Sequence, residues 1–254
     1  MDNSASAQTK PEPQMAEVVN VLPAPPDVKA ASVELRRGFV QKVYGILSVQ
    51  LILTAAIASA LRFVEVEWLA KYFWLFWVSL GMTVATLCIL VCCRETARTF
   101  PINYLLLFSF TSFEGVVVGF VTVQYTWQSV VLALAITLFV FLGLTAFACC
   151  TKTDFTGWGV FAFGGVLVII GFSLAITLLA AFGVIIRWLV ILFDICLVLI
   201  FVFYLIYDTQ LIMGEWGGHK HQFSIDDYVI AALNLYIDTI NIFMVVLSLF
   251  GARR

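Results

Sequence analysis

The amino-acid sequence predicts an all-α integral membrane protein, a bundle of seven transmembrane helices behind a disordered N-terminal tail. Three observations carry that prediction. Hydrophobic residues make up 62% of the 254 and charged ones 12%, where soluble domains carry about 25% charged. The mean hydropathy is +1.03. The apolar residues also gather into seven stretches of the length, roughly 20 residues, that crosses about 30 Å of hydrocarbon as a helix. Their mostly short connections predict one compact bundle whose first partner is the lipid bilayer. A net charge of −2 offers nothing to nucleic acid.

Residues 1–35 differ in kind. They hold five of the six prolines, including PAPP at Pro23 to Pro26, and few aromatics. Such a segment cannot bury enough apolar surface to fold, so it is expected to be a disordered cytosolic tail, with PAPP a linker rather than an adaptor ligand. No apolar signal region precedes the first span, which is then expected to direct insertion itself. The membrane domain is 36–254. Its spans are expected at Phe39 to Leu61, Tyr72 to Cys93, Ile102 to Val123, Gln128 to Cys150, Trp158 to Phe182, Trp188 to Met213 and Tyr228 to Phe250. With the N-terminus cytosolic, nine lysines and arginines fall on that side and five on the other, the bias that membrane topology favours. Seven crossings leave Arg253 and Arg254 on the wrong side of that rule. A last segment that dips in and returns is the alternative.

The six cysteines lie in or at the ends of spans, with no extracellular disulfide framework. The pairs Cys92-Cys93 and Cys149-Cys150 fall at cytosolic helix ends, where small apolar packing is favoured over S-palmitoylation. His219 and His221 share a Gly-rich loop, GEWGGHKH, expected to be solvated rather than metal-binding. A pH-sensing role is the alternative use of that loop.

Function is sought among intramembrane polar groups. A charge at mid-membrane costs roughly 2.5 to 3.5 kcal/mol even on the lenient scale, so such groups have partners and tasks. Asp208 closes the run LVLIFVFYLIYD, and Asp238 sits inside YVIAALNLYIDTINIFMVVLSLF. Asn234, Asp238 and Asn241 fall at i, i+4 and i+7, on one helix face that must point into the bundle. Asp194 and Asp208, fourteen residues apart in the sixth span, also share a face. Glu114 in the third span and Arg98 before Pro101 complete the candidate network. Ser224-Ile-Asp-Asp227 has the form of a capping box, which makes Asp226 and Asp227 structural. At 1.5 Å per residue, Asp208 and Asp238 meet only if the sixth helix is offset, tilted or ended early.

Four strings in order carry a resemblance: RRGFVQKVYGILSVQLILT at Arg36 to Thr54, RTFPINYLLLFSFT at Arg98 to Thr111, YDTQLIMG at Tyr207 to Gly214, and DDYVIAALNLYIDTINIF at Asp226 to Phe243. They are similar to the transmembrane Bax-inhibitor-motif family, and to its lifeguard branch. The resemblance covers everything from Arg36 onward. It implies a seven-helix protein of the endoplasmic reticulum, Golgi or plasma membrane that suppresses cell death and lets calcium leak down its gradient. It further implies a pH-sensitive aspartate-pair gate with a nearby arginine. Matched motif to motif, the pair is Asp208 and Asp238, and the arginine is Arg98, with Arg94 the weaker choice.

Elementary electrostatics agrees with such a gate. Two carboxyl groups in contact in a low-dielectric site cannot both ionise cheaply, so they share one proton. With the proton they bolt two helices together. Without it they repel, or attract a cation such as Ca²⁺, which takes six to eight oxygens. Asp208 and Asp238 would be its carboxylate ligands. Calcium and protons are then the species handled, no cofactor is expected, and the protein is not an enzyme. A receptor coupled to G proteins would carry NPxxY where this chain has NLYID. A retinal protein needs a lysine in the last span, and none follows Lys220. An intramembrane aspartyl protease matches at Tyr207-Asp208 but lacks the GxGD half. The alternative outside transport is a non-conducting regulator acting on apoptosis-related or calcium-channel proteins.

Overall fold

The computed structural model describes residues 28–184, 186–214 and 218–254. Helices are α1 (Val28–Arg62), α2 (Val66–Lys71), α3 (Trp74–Cys92), α4 (Arg94–Arg98), α5 (Ile102–Thr122), α6 (Trp127–Cys150), α7 (Gly159–Ala181), α8 (Arg187–Met213) and α9 (Tyr228–Phe250). All but α2 and α4 are long and apolar enough to cross a membrane. These seven match the expected spans to within a few residues, except that α1 begins at Val28. Helix-forming Lys29, Ala30, Ala31, Glu34 and Leu35 follow the last tail proline, Pro26, and continue the helix outward. The rest of the expected tail, residues 1–27, lies outside the described residues.

Burial sorts the helices. Of the apolar window of α9, 72% is buried inside the protein, against 6% for the window containing α7. The last helix is therefore the core, packed on α8, α1, α6 and α5, while α7 touches chiefly α8. Val229, Ala232, Leu233, Leu235 and Tyr236 are fully buried, whereas Phe139 and Val160 present their side chains to lipid. Association within a bilayer draws on close packing and interhelical hydrogen bonds rather than on apolar burial. Both are present. Gln50 Nε2 on α1 donates to Thr111 Oγ1 on α5 at 2.9 Å, and the hydroxyls of Thr54 and Tyr236 join α1 to α9 at 2.7 Å.

Close packing is set by Gly115 and Gly119 on α5. A methyl group at Gly119 would lie 2.5 Å from Leu61 Cδ1 and 3.2 Å from the Ala58 backbone, and one at Gly115 would lie 3.1 Å from Ile57 Cδ1. In the fifth span Gly164 and Gly171 face open space and Gly165 has only ordinary contacts, while a methyl at Gly159, at its head, would meet only the Tyr207 hydroxyl, at 3.1 Å. The cysteine pairs are not packed into an interface, since Cys92, Cys93, Cys149 and Cys150 are all exposed.

One end of the bundle carries the start of α1, and the chain finishes at the other. There Arg62 donates to the carbonyls of Thr122 and Tyr125, Thr126 N–H donates to Ala252 O at 3.0 Å, and Arg254 N–H donates to Gln124 O at 2.8 Å. The last helix thus runs the full depth without turning back. Arg253 and Arg254 sit with Arg62, opposite the start of α1, which replaces the dipping alternative with seven crossings.

Candidate functional site: a dicarboxyl contact between α8 and α9

Asp208 and Asp238 are 5% and 4% exposed. Their carboxyl groups lie within hydrogen-bonding reach of each other, and Asn234 Nδ2 approaches Asp208 Oδ1 at 3.4 Å. Asp238 Oδ2 is buried with no hydrogen-bond partner among the described residues. Ionised carboxylates only accept hydrogen bonds, so a bond between two of them requires a proton on one.

The depth mismatch is resolved by an offset, because α8 ends at Met213 as expected while α9 starts further out. Asp238 lies about 15 Å into α9 and Asp208 about 7.5 Å from Met213, so α9 starts roughly 7 to 8 Å further out than α8 stops. Gly214, at φ +55°, terminates α8 in a backbone region that disfavours side chains. The chain then folds back, and Phe223 N–H donates to Leu211 O at 3.1 Å before α9 begins.

That fold-back is held by Arg36, a residue the sequence reading did not single out as a site. Its side chain is 6% exposed, donates from Nη2 to Leu211 O at 2.6 Å and from Nη1 to Phe223 O at 2.7 Å, and lies 4.6 Å above the Phe39 ring. A cation on the last carbonyls of a helix also complements its negative end. Leu211 is three residues beyond Asp208, so the guanidinium fixes the turn that carries the carboxyl. The available signal was a cation at the head of an apolar span.

Arg98 is elsewhere. Its Nε and Nη2 form a two-pronged ion pair with Asp227 Oδ1 and Oδ2 at 2.7 and 3.0 Å, at the bundle surface. The expectation that it sits at the aspartate pair is corrected accordingly. The Arg94 side chain lies outside the described residues. The capping box does not form either: the Asp227 N–H donates to the Ser224 carbonyl at 3.0 Å in a short 3₁₀ turn over Ile225–Asp227, leaving the Ser224 side chain without a cap, and the Asp227 carboxylate is taken by Arg98. Arg98 is held in its charged form above its ordinary range, first by its hydrogen bond to Asp227 and then by that carboxylate's charge.

The other polar residues are dispersed. Asn241 turns back to the Ile237 carbonyl of its own helix at 2.8 Å. Asp194 accepts a hydrogen bond from Ser248 Oγ at 2.7 Å, joining α8 to α9 near their opposite end. Glu114 is half-buried on α5 within electrostatic reach of the Tyr236 hydroxyl. Only Asn234 of the expected stripe joins the aspartate pair. Among the described residues no group of three or more His, Cys, Asp or Glu could hold a metal.

His219 is 4% exposed, which overturns the solvated-loop expectation for that histidine. Asp154 makes the difference. Its carboxylate accepts from Thr156 Oγ1 at 2.6 Å, Thr156 N at 3.0 Å and Lys220 N at 3.1 Å, and His219 Nδ1 is 3.7 Å away. The Thr156 hydroxyl, more than the other contacts, holds Asp154 below the ordinary carboxylate range against the opposing effect of burial. Gln210, two residues after Asp208, adds a bond from Nε2 to Thr153 O at 2.9 Å and accepts from Phe155 N at 2.8 Å. The segments before α7 and α9 therefore close over the same end of α8.

Residues 36–254 match the family model described as Inhibitor of apoptosis-promoting Bax1. Among curated proteins, the chain is 37% identical to Protein lifeguard 3 of Homo sapiens over 225 residues, covering 87% of this chain and 70% of that one. It is 36% identical to Protein lifeguard 3 of Mus musculus, covering 87% and 71%. With Protein lifeguard 4 of Mus musculus it shares 35% over 240 residues, 89% of each chain.

Proposed function

Since the chain belongs to the Inhibitor of apoptosis-promoting Bax1 family, which its match over residues 36–254 shows, we propose that it is an anti-apoptotic membrane protein mediating a pH-sensitive calcium leak. Its gate is Asp208 with Asp238. The observation that carries this reading is the buried contact between the two carboxyl groups, one from α8 and one from the core helix α9.

One proton shared across the contact ties the helices together and closes the path. Losing it leaves two like charges in a low-dielectric site, which either separate or recruit a cation. Calcium in transit would meet Asp208, Asp238, the Asn234 carbonyl oxygen, backbone carbonyls and water. Arg36 holds the end of α8, so movement at Asp208 is hinged against a fixed turn. Acid closes the leak and deprotonation opens it. The N-terminus is cytosolic in this reading, and the protein resides in the endoplasmic reticulum, Golgi or plasma membrane.

The test is calcium flux into dye-loaded liposomes between pH 5 and 8, for the full chain beside Asp208→Asn and Asp238→Asn. Loss of the pH dependence in the variants is expected. Unchanged pH dependence in both would defeat the gate, and no flux at any pH would leave a non-conducting regulator as the reading.

A further inference from the structure

A groove of about 510 Å³ opens between α1 and α6, floored by α5 and α9. Its walls are apolar, with Leu51 and Ala55 on one side, Leu134 and Leu138 on the other, and Phe243 at the base. Along α1 it runs from Tyr44 to Arg62, about 27 Å of helix, close to the roughly 30 Å of the hydrocarbon core. The groove takes no part in the aspartate contact.

Its far end is cationic. Arg62 lines the groove, half-buried, and among the described residues it hydrogen-bonds only through Nη1, in long bonds of 3.4 and 3.3 Å to the carbonyls of Thr122 and Tyr125. A guanidinium has five N–H donors, and most of these remain for a ligand. Ser59, one turn earlier on α1, lines the same end and is exposed. Arg253 lies 6.0 Å from the Tyr125 ring and Arg254 binds the adjacent backbone, so three guanidinium-bearing residues gather around one turn. Among the described residues, none of the three is in an ion pair with a carboxylate; Glu65 and Glu67 at that end are exposed and make none.

An apolar trough as deep as the membrane, closed by unneutralised cations at the interface, matches one kind of occupant. We propose that this groove binds a glycerophospholipid with an acidic headgroup, an acyl chain lying between α1 and α6 and the headgroup phosphate on Arg62. A zwitterionic lipid fills the trough equally well but brings its own cation to the arginines, so charge complementarity selects the acidic one. A cation at the interface attracts an anionic headgroup whichever leaflet it faces, and the trough adds a seat for the chain.

Native mass spectrometry of the purified full chain in neutral detergent, with phosphatidylglycerol and phosphatidylcholine in equal amounts, tests it. The expected result is retention of phosphatidylglycerol about fivefold or more over phosphatidylcholine. Arg62→Gln removes the preference and Arg62→Lys keeps most of it, which separates loss of charge from loss of fold. Leu134→Trp, which fills the trough, lowers retention of both lipids. Equal retention by the wild-type protein, an unchanged preference in Arg62→Gln, or displacement of phosphatidylglycerol by millimolar inorganic phosphate would each overturn the proposal.

Discussion

Replacing Arg36 by methionine removes the clamp on the end of α8 while keeping an unbranched apolar stem of similar reach. Two hydrogen bonds from a charged donor disappear, those to Leu211 O and Phe223 O. Bonds of this kind contribute about 1.5 to 3 kcal/mol each. Leu211 O retains the Phe223 N–H, so its loss falls at the low end, whereas Phe223 O loses a charged partner. The net destabilisation is therefore about 3 to 4.5 kcal/mol, which for a chain of this size lowers the melting temperature by roughly 6 to 18 °C. Thermal unfolding of the purified protein gives the first readout, and hydrogen exchange at the Phe223 amide the second. A melting temperature within about 2 °C of wild type, or an unchanged Phe223 exchange rate, would refute the clamp. The liposome assay adds a functional readout, because an unmoored α8 end should raise the leak at acidic pH.

Arg98→Gln should leave the pH profile of calcium flux unchanged, since its guanidinium is spent on Asp227; a profile shifted as in Asp208→Asn would return Arg98 to the gate. Gly119→Val drives two methyls into Leu61 and the Ala58 backbone and should cost about 1 to 3 kcal/mol, read as a lowered melting temperature, with Gly164→Val nearly silent because that position is open. Asp154 has a folded-state pKa below its unfolded value, so the stability it contributes is present above the unfolded pKa, near 3.9, and is lost as pH falls through the lower folded one. Asp154→Asn should therefore melt earlier than wild type at pH 7, with the difference vanishing in strong acid; a constant difference across pH would contradict the assignment.

The spans were legible because membrane thickness sets a length that composition alone reveals, and each boundary fell within a few residues of α3, α5, α6, α7, α8 and α9. The start of α1 was not, because a helix can continue beyond the hydrocarbon once prolines end. The contact of Asp208 with Asp238 was legible as two acids in apolar helices, yet spacing alone placed them at different depths until the fold-back after Gly214 was seen. The arginine was misplaced for a related reason: sequence shows that a cation lies near a helix end but not which end it reaches across to. Arg98 met the acid of its own surface, and Arg36 crossed from another helix. The glycine pair on α5 carried a readable signal in its four-residue spacing, Gly115 to Gly119, whereas the richer run in α7 packs against little.

The order of synthesis gives the central position of α9 a further meaning. Six spans leave the ribosome before α9, and four of them, α1, α5, α6 and α8, pack against it, so until α9 emerges these four lack their common core. Asp208 enters the bilayer without Asp238, and Arg36 waits for a Phe223 carbonyl that does not yet exist. The final span therefore joins helices that have already met in pairs, and it is the step at which α1, α5, α6 and α8 acquire a shared centre.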